Sequence, residues 1–162
     1  MARPYPPGIR FVPTDQEVIG YFLRRLVDGL PVPPGVIHHS DIYQTEPWNL
    51  PEGAGYYYTP RHRMSAAADR GGSSSRSAHV RRTAGAGFWN GKSPPVPVYI
   101  GAEVIGHKTL LAFNFKNRST GILIKTGWAM EEYILHSPDG QLQTRAICRI
   151  YNKNDTRFDF EE

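Results

Sequence analysis

The sequence lacks the features of disulfide-linked, zinc-stabilised, membrane-spanning and secreted proteins. Its 162 residues include one cysteine, Cys148, so no disulfide can form within the chain and no second thiolate is present for a structural zinc site. No stretch approaches the roughly 18 apolar residues of a membrane-spanning helix, and positions 1–7 lack the apolar core of a signal peptide. We therefore expect a cytosolic or nuclear chain that has no membrane partner and is held together by ordinary packing.

Catalytic motifs are also missing. The sequence contains no GxSxG, no P-loop and no spacing typical of metal ligands. His38 and His39 are adjacent, so that in a strand they would face opposite ways, and we interpret His62 and His79 as solvated polar residues. The sequence predicts a protein that is not an enzyme and that has no metal site, no cofactor and no small-molecule substrate.

Acidic residues are scarce in the middle of the chain. Positions 61–130 contain 11 basic and 2 acidic residues, whereas both flanking segments are net negative and the whole chain has a formal charge of +4. A concentrated positive segment is typical of proteins that bind a phosphate backbone, because cationic side chains release condensed counterions there. A solvated basic face is the alternative interpretation.

One helix is predicted near the start of a chain whose length suits a single domain. Thr14 and Glu17 have the spacing of a capping box, and Gly29 stands where a left-handed cap would end the helix. Between them, apolar residues recur at helical spacing: Val18, Ile19, Phe22, Leu23, Leu26 and Val27. Positions 41–48 suit a short helix or turn.

The rest of the sequence favours strands and one unusual loop. Positions 56–59 are a β-prone run, and positions 61–82 place six arginines among alanine, glycine and serine, which indicates a mobile basic loop. About six strands follow, including the alternating Val96, Val98 and Ile100, with turns at 117–121 and 137–140. The predicted fold class is α+β, a twisted antiparallel sheet flanked by a few helices.

Several blocks of sequence together resemble the NAC (NAM, ATAF, CUC) domain of plant transcription factors. They are PPGIRF and PTDQE at 6–17, DIYQTEPWNLP at 41–51, RTAGAGFWN at 82–90, GHKTL at 106–110, GILIKTGWAMEEY at 121–133 and CRIY at 148–151. The blocks stand in the family's order and cover nearly the whole chain. The resemblance implies the NAC-domain fold, with a twisted antiparallel sheet between helices.

The resemblance also implies an organisation for positions 1–162 as a single NAC domain. Positions 1–30 would form an N-terminal arm and dimerisation helix, 61–82 a flexible basic loop, and 83–151 the sheet and its DNA-facing strands. Dimerisation is expected to involve Ile9, Arg10, Phe11 and Glu17, with Arg10 and Glu17 in reciprocal ion pairs across a two-fold axis. Glu17 could instead serve simply as a helix cap.

For DNA, the resemblance places a strand near Trp89 in the major groove. The expected contact residues are Arg82, Phe88, Trp89, Asn90, Lys92, Lys108 and Lys125. The implied function is a dimeric, DNA-binding regulator of transcription in the nucleus. Its expected partners are duplex DNA with the family's CGT-type core, and a second copy of itself or another NAC protein.

The sequence departs from the family pattern in the DNA-facing strand. Phe88 replaces a tyrosine, Asn90 replaces a lysine, the Ala-Thr-Gly that should follow is absent, and Gly127 stands where the family prefers aspartate. Fewer donors remain to recognise bases, so we expect weaker sequence discrimination than is normal for the family. The alternative function is a NAC-like protein-interaction module, heterodimerising or inhibitory, with weak or sequence-nonspecific DNA binding.

Overall fold

A computed structural model describes residues 11–64 and 80–155, and within them most of the chain is strand. The strands are β1 (His38–His39), β2 (Gly55–Pro60), β3 (Thr83–Ala84), β4 (Gly87–Gly91), β5 (Val96–Ile100), β6 (Glu103–Lys116), β7 (Leu123–Leu135) and β8 (Arg145–Asn152). They form one curled sheet in the order β1-β2-β8-β7-β6-β4-β3, and β5 pairs with the first half of β6. All pairs are antiparallel except β1 with β2.

One helix precedes the sheet, and its ends confirm the sequence-based prediction. It consists of α1 (Asp15–Glu17), a π-helical stretch (Val18–Leu23) and α2 (Arg24–Val27). Thr14 Oγ1 accepts a hydrogen bond from the Glu17 N–H at 3.1 Å, and Glu17 Oε1 accepts one from the Thr14 N–H at 2.9 Å, which completes the capping box. Gly29 ends the helix with a φ of +74°. The π-helical middle was not predicted.

The prediction of a few flanking helices is only roughly matched. Apart from this short helix, the helical segments in the described ranges are two single 3₁₀ turns, Ile42–Gln44 and Pro47–Asn49. Asp41 caps the first of them by accepting a hydrogen bond from the Tyr43 N–H at 3.0 Å. Neither turn continues, because Thr45 and Leu50 return to extended backbone.

Two apolar clusters lie on opposite faces of the sheet. The first surrounds Trp89 and Phe113 and is covered by the 3₁₀ segment through Ile42, Tyr43 and Leu50. The second forms where the helix packs on the other face: Val18, Ile19, Leu23, Tyr133, Leu135 and Ile147. Because the helix covers only part of its face, the rest of that face remains open.

Val98 and Cys148 are two of the buried residues of the strands. A β-bulge between Val98 and Tyr99 shifts the pairing of β5 with β6. Of the three alternating residues of β5, Val98 is buried, whereas Val96 and Ile100 are exposed. Cys148, predicted to be a small buried hydrophobe, is fully buried in the first cluster, and burial raises the pKa of its thiol well above the usual range.

Candidate nucleic-acid interface

Strand register identifies the residues that share the face left open by the helix. Residues directly opposite each other in neighbouring strands place their side chains on the same side of a sheet. The pairs run from Phe88 through Asn114 to Lys125, from Asn90 through Ala112 and Ala129 to Tyr151, and from Leu110 through Glu131 to Arg149. We call the accessible part of this set the open sheet face: Phe88, Asn90, Leu110, Ala112, Lys125, Glu131, Arg149 and Tyr151.

Three of the predicted DNA-contact residues meet on the open sheet face. Phe88 is half-buried, and Asn90 and Lys125 are exposed. Lys92 lies immediately beyond β4, and its backbone N–H donates to the Leu110 carbonyl at 2.9 Å, which holds the start of the next loop against β6. The Lys92 side chain is exposed. Asn90 and Lys92 thus lie at the end of β4, whereas Lys125 lies on the same side of the sheet but level with Phe88, near the start of that strand.

Lys108 lies on the same side of the sheet, but acidic groups surround it. Its Nζ lies 3.2 Å from Asp15 Oδ1 at the start of the helix and 3.8 Å from Glu131 Oε1. Arg149 Nη1 lies 3.5 Å from the same Glu131 oxygen. Tyr133 completes the network with its hydroxyl 2.8 Å from Asp15 Oδ1, and burial together with that hydrogen bond raises the pKa of the phenol. The charge of Lys108 is therefore largely balanced within the chain.

Trp89 and Arg82 lie behind the sheet, away from the open sheet face. Trp89 is 1% exposed, and its ring centroid lies 5.1 Å from that of Phe113 in the core. Successive residues of a strand point to opposite faces, so Trp89 cannot share a surface with Phe88 and Asn90. Sequence reasoning grouped these residues, and the structure separates them. Trp89 and Arg82 are placed to hold β4 in position, not to contact a ligand on the open face.

Arg82 belongs to a buried charge cluster with Arg61 and Glu132. Arg82 Nη1 and Nη2 donate to the two Glu132 carboxylate oxygens at 2.7 and 3.0 Å, and Arg61 Nε donates to Oε2 at 3.2 Å. Burial alone would raise the pKa of Glu132, but Arg82 and Arg61 outweigh it and hold that pKa at about 2. The predicted basic loop at 61–82 thus begins and ends in the core, and its positions 65–79 lie outside the described residues.

The residues predicted for dimerisation are only partly within the described ranges. Ile9 and Arg10 lie outside them. Phe11 is half-buried within its own chain, where its ring packs edge-on against Phe22 and Tyr56 with centroids 5.1 and 5.0 Å away. Glu17 is exposed and uses Oε1 in the capping box, and a carboxylate has a second oxygen that can accept from a partner.

Sequence reasoning did not single out Arg149 and Tyr151 as site residues. The Arg149 guanidinium lies 4.4 Å from the centre of the Tyr151 ring, within the distance of a cation–π contact. The two residues alternate with Cys148 and Ile150, both of which are buried. This alternation in the sequence could have identified them, because it places residues 149 and 151 together on the face opposite the buried Cys148 and Ile150.

A family model described as "No apical meristem (NAM) protein" matches residues 6–135. This chain belongs to the NAC family. Among its relatives, NAC domain-containing protein 68 of Oryza sativa subsp. japonica is 35% identical, covering 93% of this chain and 49% of the relative. NAC domain-containing protein 2 of Solanum lycopersicum is 34% identical over 93% and 56%, and NAC transcription factor 29 of Arabidopsis thaliana is 33% identical over 91% and 57%.

The NAC chain therefore spans about half the length of these curated relatives, all of which come from plants. Members of the family are transcription factors and not enzymes, as the sequence predicted. In residues 11–64 and 80–155, no helix has the length and apolar character needed to cross a membrane. The same ranges contain no group of three or more His, Cys, Asp or Glu side chains placed to hold a metal ion.

Proposed function

We propose that this NAC chain is a dimeric regulator of transcription that acts in the nucleus and binds duplex DNA through the open sheet face and the end of β4. The proposal rests chiefly on one observation: an exposed strand end carries Asn90 and Lys92 and lies on the same side as Lys125, in a chain of the NAC family. The names of the relatives favour this function over a module that acts only through protein contacts.

The end of β4 is suited to enter a major groove. The groove accepts a narrow β-element, and its base edges are recognised by side-chain amides, by cations and by apolar contact with the thymine methyl. Asn90 supplies an amide, Lys92 a cation and Phe88 an apolar surface. Phe88 cannot donate a hydrogen bond and Asn90 is uncharged, so this surface has fewer donors for bases than the family pattern provides.

Phosphate contacts are expected from the cationic side chains that have no acidic partner close by within the chain. Lys92 and Lys125 are exposed, whereas Lys108 lies within 4 Å of Asp15 and Glu131. Exposed cations that contact phosphate set the slope of affinity against salt, with about 0.9 units of log–log slope for each neutralised phosphate. The interface is therefore expected to bind DNA with strong salt dependence and modest sequence preference.

The test is to measure affinity for duplex DNA at several salt concentrations. Lys92→Ala and Lys125→Ala should each reduce the salt slope by roughly one unit, because each variant removes one phosphate contact. Lys108→Ala should reduce it less, since its charge is already paired. Arg24→Ala, at an exposed helix position, is the matched control and should leave the slope unchanged. Equal slopes for all four variants would refute this interface.

Sequence preference is tested separately with two duplexes, one carrying the CGT-type core and one scrambled. Replacing positions 88–92 with Tyr-Trp-Lys-Ala-Thr-Gly-Lys should raise the preference for the core duplex, by roughly ten-fold or more per restored base contact. Asn90→Lys alone is the control, and it should restore little because the register of the following residues stays unchanged. A strong preference for the core duplex in the unaltered chain would contradict the proposed loss of base recognition.

A further inference from the structure

A cavity of about 280 Å³ lies on the side of the sheet opposite the open sheet face. Its wall includes the two buried arginines Arg61 and Arg82 with Glu132, and Thr109 of β6. Ile134 of β7, Leu142 and Pro95 add apolar side chains, and polar residues, among them His107 and Gln143, complete the lining. Because β6 and β7, which carry Thr109 and Glu132, separate this cavity from the open sheet face, it is distinct from the proposed DNA interface.

The charges at the cavity wall do not balance. Two guanidinium groups face one carboxylate, which leaves a formal charge of +1 on side chains that are 5%, 17% and 1% exposed for Arg61, Arg82 and Glu132. A buried charge without a partner is unfavourable, and an anion placed beside it relieves that cost. Tyr43, which accepts from Arg82 Nη1 at 2.8 Å, is neutral and does not offset the excess.

The arginines also have hydrogen-bonding capacity beyond their internal bonds. Arg61 donates through Nε and Nη2 to Glu132 and through Nη1 to the Gln143 carbonyl at 2.8 Å. Each guanidinium offers five N–H donors in a planar fork that matches a carboxylate. Arg61 makes three such bonds among the described residues, fewer than the five donors of a guanidinium, and it lines the cavity.

We propose that this cavity binds a small organic carboxylate, with its anionic end at Arg61 and Arg82 and its apolar body against Ile134 and Leu142. The volume lies near the lower end of the roughly 300 to 1,000 Å³ found for small-molecule sites, which suits a compact ligand such as an aromatic acid. The mixed lining, with charge at one end and apolar side chains elsewhere, recognises both parts of such a molecule.

Benzoate is the probe, and thermal unfolding of the full 162-residue chain is the measurement. A ligand that binds the folded state stabilises it by mass action, so benzoate should raise Tm by roughly 5 to 10 °C at about 100-fold excess over its Kd. Benzyl alcohol has nearly the same shape without the charge, and inorganic phosphate has charge without the ring. Both should shift Tm far less, and calorimetric titration should give saturable binding for benzoate alone.

Two variants locate the site. Arg61→Met leaves one arginine against Glu132, which removes the excess positive charge, and the response to benzoate should be lost. Gln141→Trp narrows the cavity from its exposed rim without touching the charge cluster, and it should weaken benzoate binding at least ten-fold. Thr144→Trp, at an exposed position of the same segment, is the matched control and should bind benzoate normally.

Each other outcome would overturn the proposal. No response to benzoate, or unchanged binding in Gln141→Trp, would show that the cavity holds no such ligand. Equal responses to benzyl alcohol and benzoate would show an apolar cavity without an anion site, and equal responses to phosphate and benzoate would show an adventitious ion only. If Arg61→Met does not fold, the proposal is tested by comparing benzoate binding in Gln141→Trp with that in Thr144→Trp. The result is independent of DNA binding, because the assay contains no DNA.

Discussion

Glu132 is the residue on which the buried charges depend. It is 1% exposed and accepts hydrogen bonds from Arg61 and Arg82, which come from segments about 70 and 50 residues away along the chain. Two charges buried with one partner are stable only while that partner is present. The cluster thus joins β7 to the two ends of the 61–82 segment at a single carboxylate.

Glu132→Gln is expected to destabilise the fold by roughly 3 to 5 kcal/mol, because it leaves two buried arginines without a counterion while keeping the side-chain volume. Chemical denaturation measures the change in the free energy of unfolding. Glu103→Gln, at an exposed position of β6, is the matched control and should change stability by no more than about 0.5 kcal/mol. Similar midpoints for the two variants would contradict the role of Glu132.

The same carboxyl predicts a specific dependence of stability on acid. Its pKa is about 2 in the folded chain against an ordinary value of 4.5, so its contribution is complete above pH 4.5 and is lost as pH falls toward 2. Between pH 5 and pH 3 the loss should be about 2 kcal/mol. Glu132→Gln should lack this component, which denaturation curves at the two pH values would reveal. An identical pH dependence in both proteins would contradict it.

At the scale of the element, β4 is the strand that decides what the candidate interface presents. Its first residue, Gly87, lies so close to β6 that a Cβ there would meet the Asn114 carbonyl and the Phe113 ring. At its other end, a Cβ on Gly91 would have no neighbour within 4 Å. The start of β4 therefore packs closely against β6, whereas its end, near the proposed DNA interface, has free space around it.

Gly87→Ala should destabilise the fold by roughly 1 to 3 kcal/mol, because the added methyl group overpacks a backbone contact that cannot yield without moving β4. Gly91→Ala adds the same methyl to the same strand in open space, and it should change stability by less than about 0.5 kcal/mol. Thermal unfolding of the two variants gives the comparison. A Gly87→Ala protein as stable as Gly91→Ala would show that β4 is not held against β6 in this way.

Local signals predicted the elements that local chemistry controls. Thr14 and Glu17 fix the helix start through side-chain oxygens that accept from each other's backbone N–H, Gly29 ends the helix with a positive φ, and the structure confirms all three. The site was harder, because the resemblance supplies three consecutive contact residues, 88–90, whereas a strand places consecutive side chains on opposite faces. Phe88 and Asn90 therefore separate from Trp89. The pairing of Glu132 with Arg61 and Arg82 joins distant segments, and no spacing in the sequence indicates it.

At the scale of the whole molecule, the helix that begins at Asp15 connects the expected dimer region to the open sheet face. Asp15 contacts Lys108 and Tyr133 on the sheet, while Glu17, two residues further along the helix, is exposed. The proposed dimer and the proposed DNA surface are thus linked by one short element. A substitution at the start of the helix is therefore expected to affect both dimerisation and DNA binding.

Dimerisation is tested by charge reversal. Arg10→Glu should weaken self-association, because it replaces the attraction to Glu17 of a second copy with repulsion, and mixing it with Glu17→Arg should restore a mixed dimer. Exposed ion pairs contribute only about 0 to 1 kcal/mol each, so the charges mainly select the partner. Light scattering of each variant and of their mixture gives the masses. A wild-type chain that is monomeric at tens of micromolar would refute the dimer.

The pairing of β2 with β8 limits the order in which the molecule can be made. Tyr57 is opposite Cys148, so β2, at residues 55–60, has no neighbour on that side until a strand near residue 150 has been made. During synthesis, which starts at the N-terminus, β2 and β7 both present unpaired edges until β8 leaves the ribosome, and such edges invite association between nascent chains. The family match ends at residue 135, but the smallest piece that completes the sheet extends through Asn152.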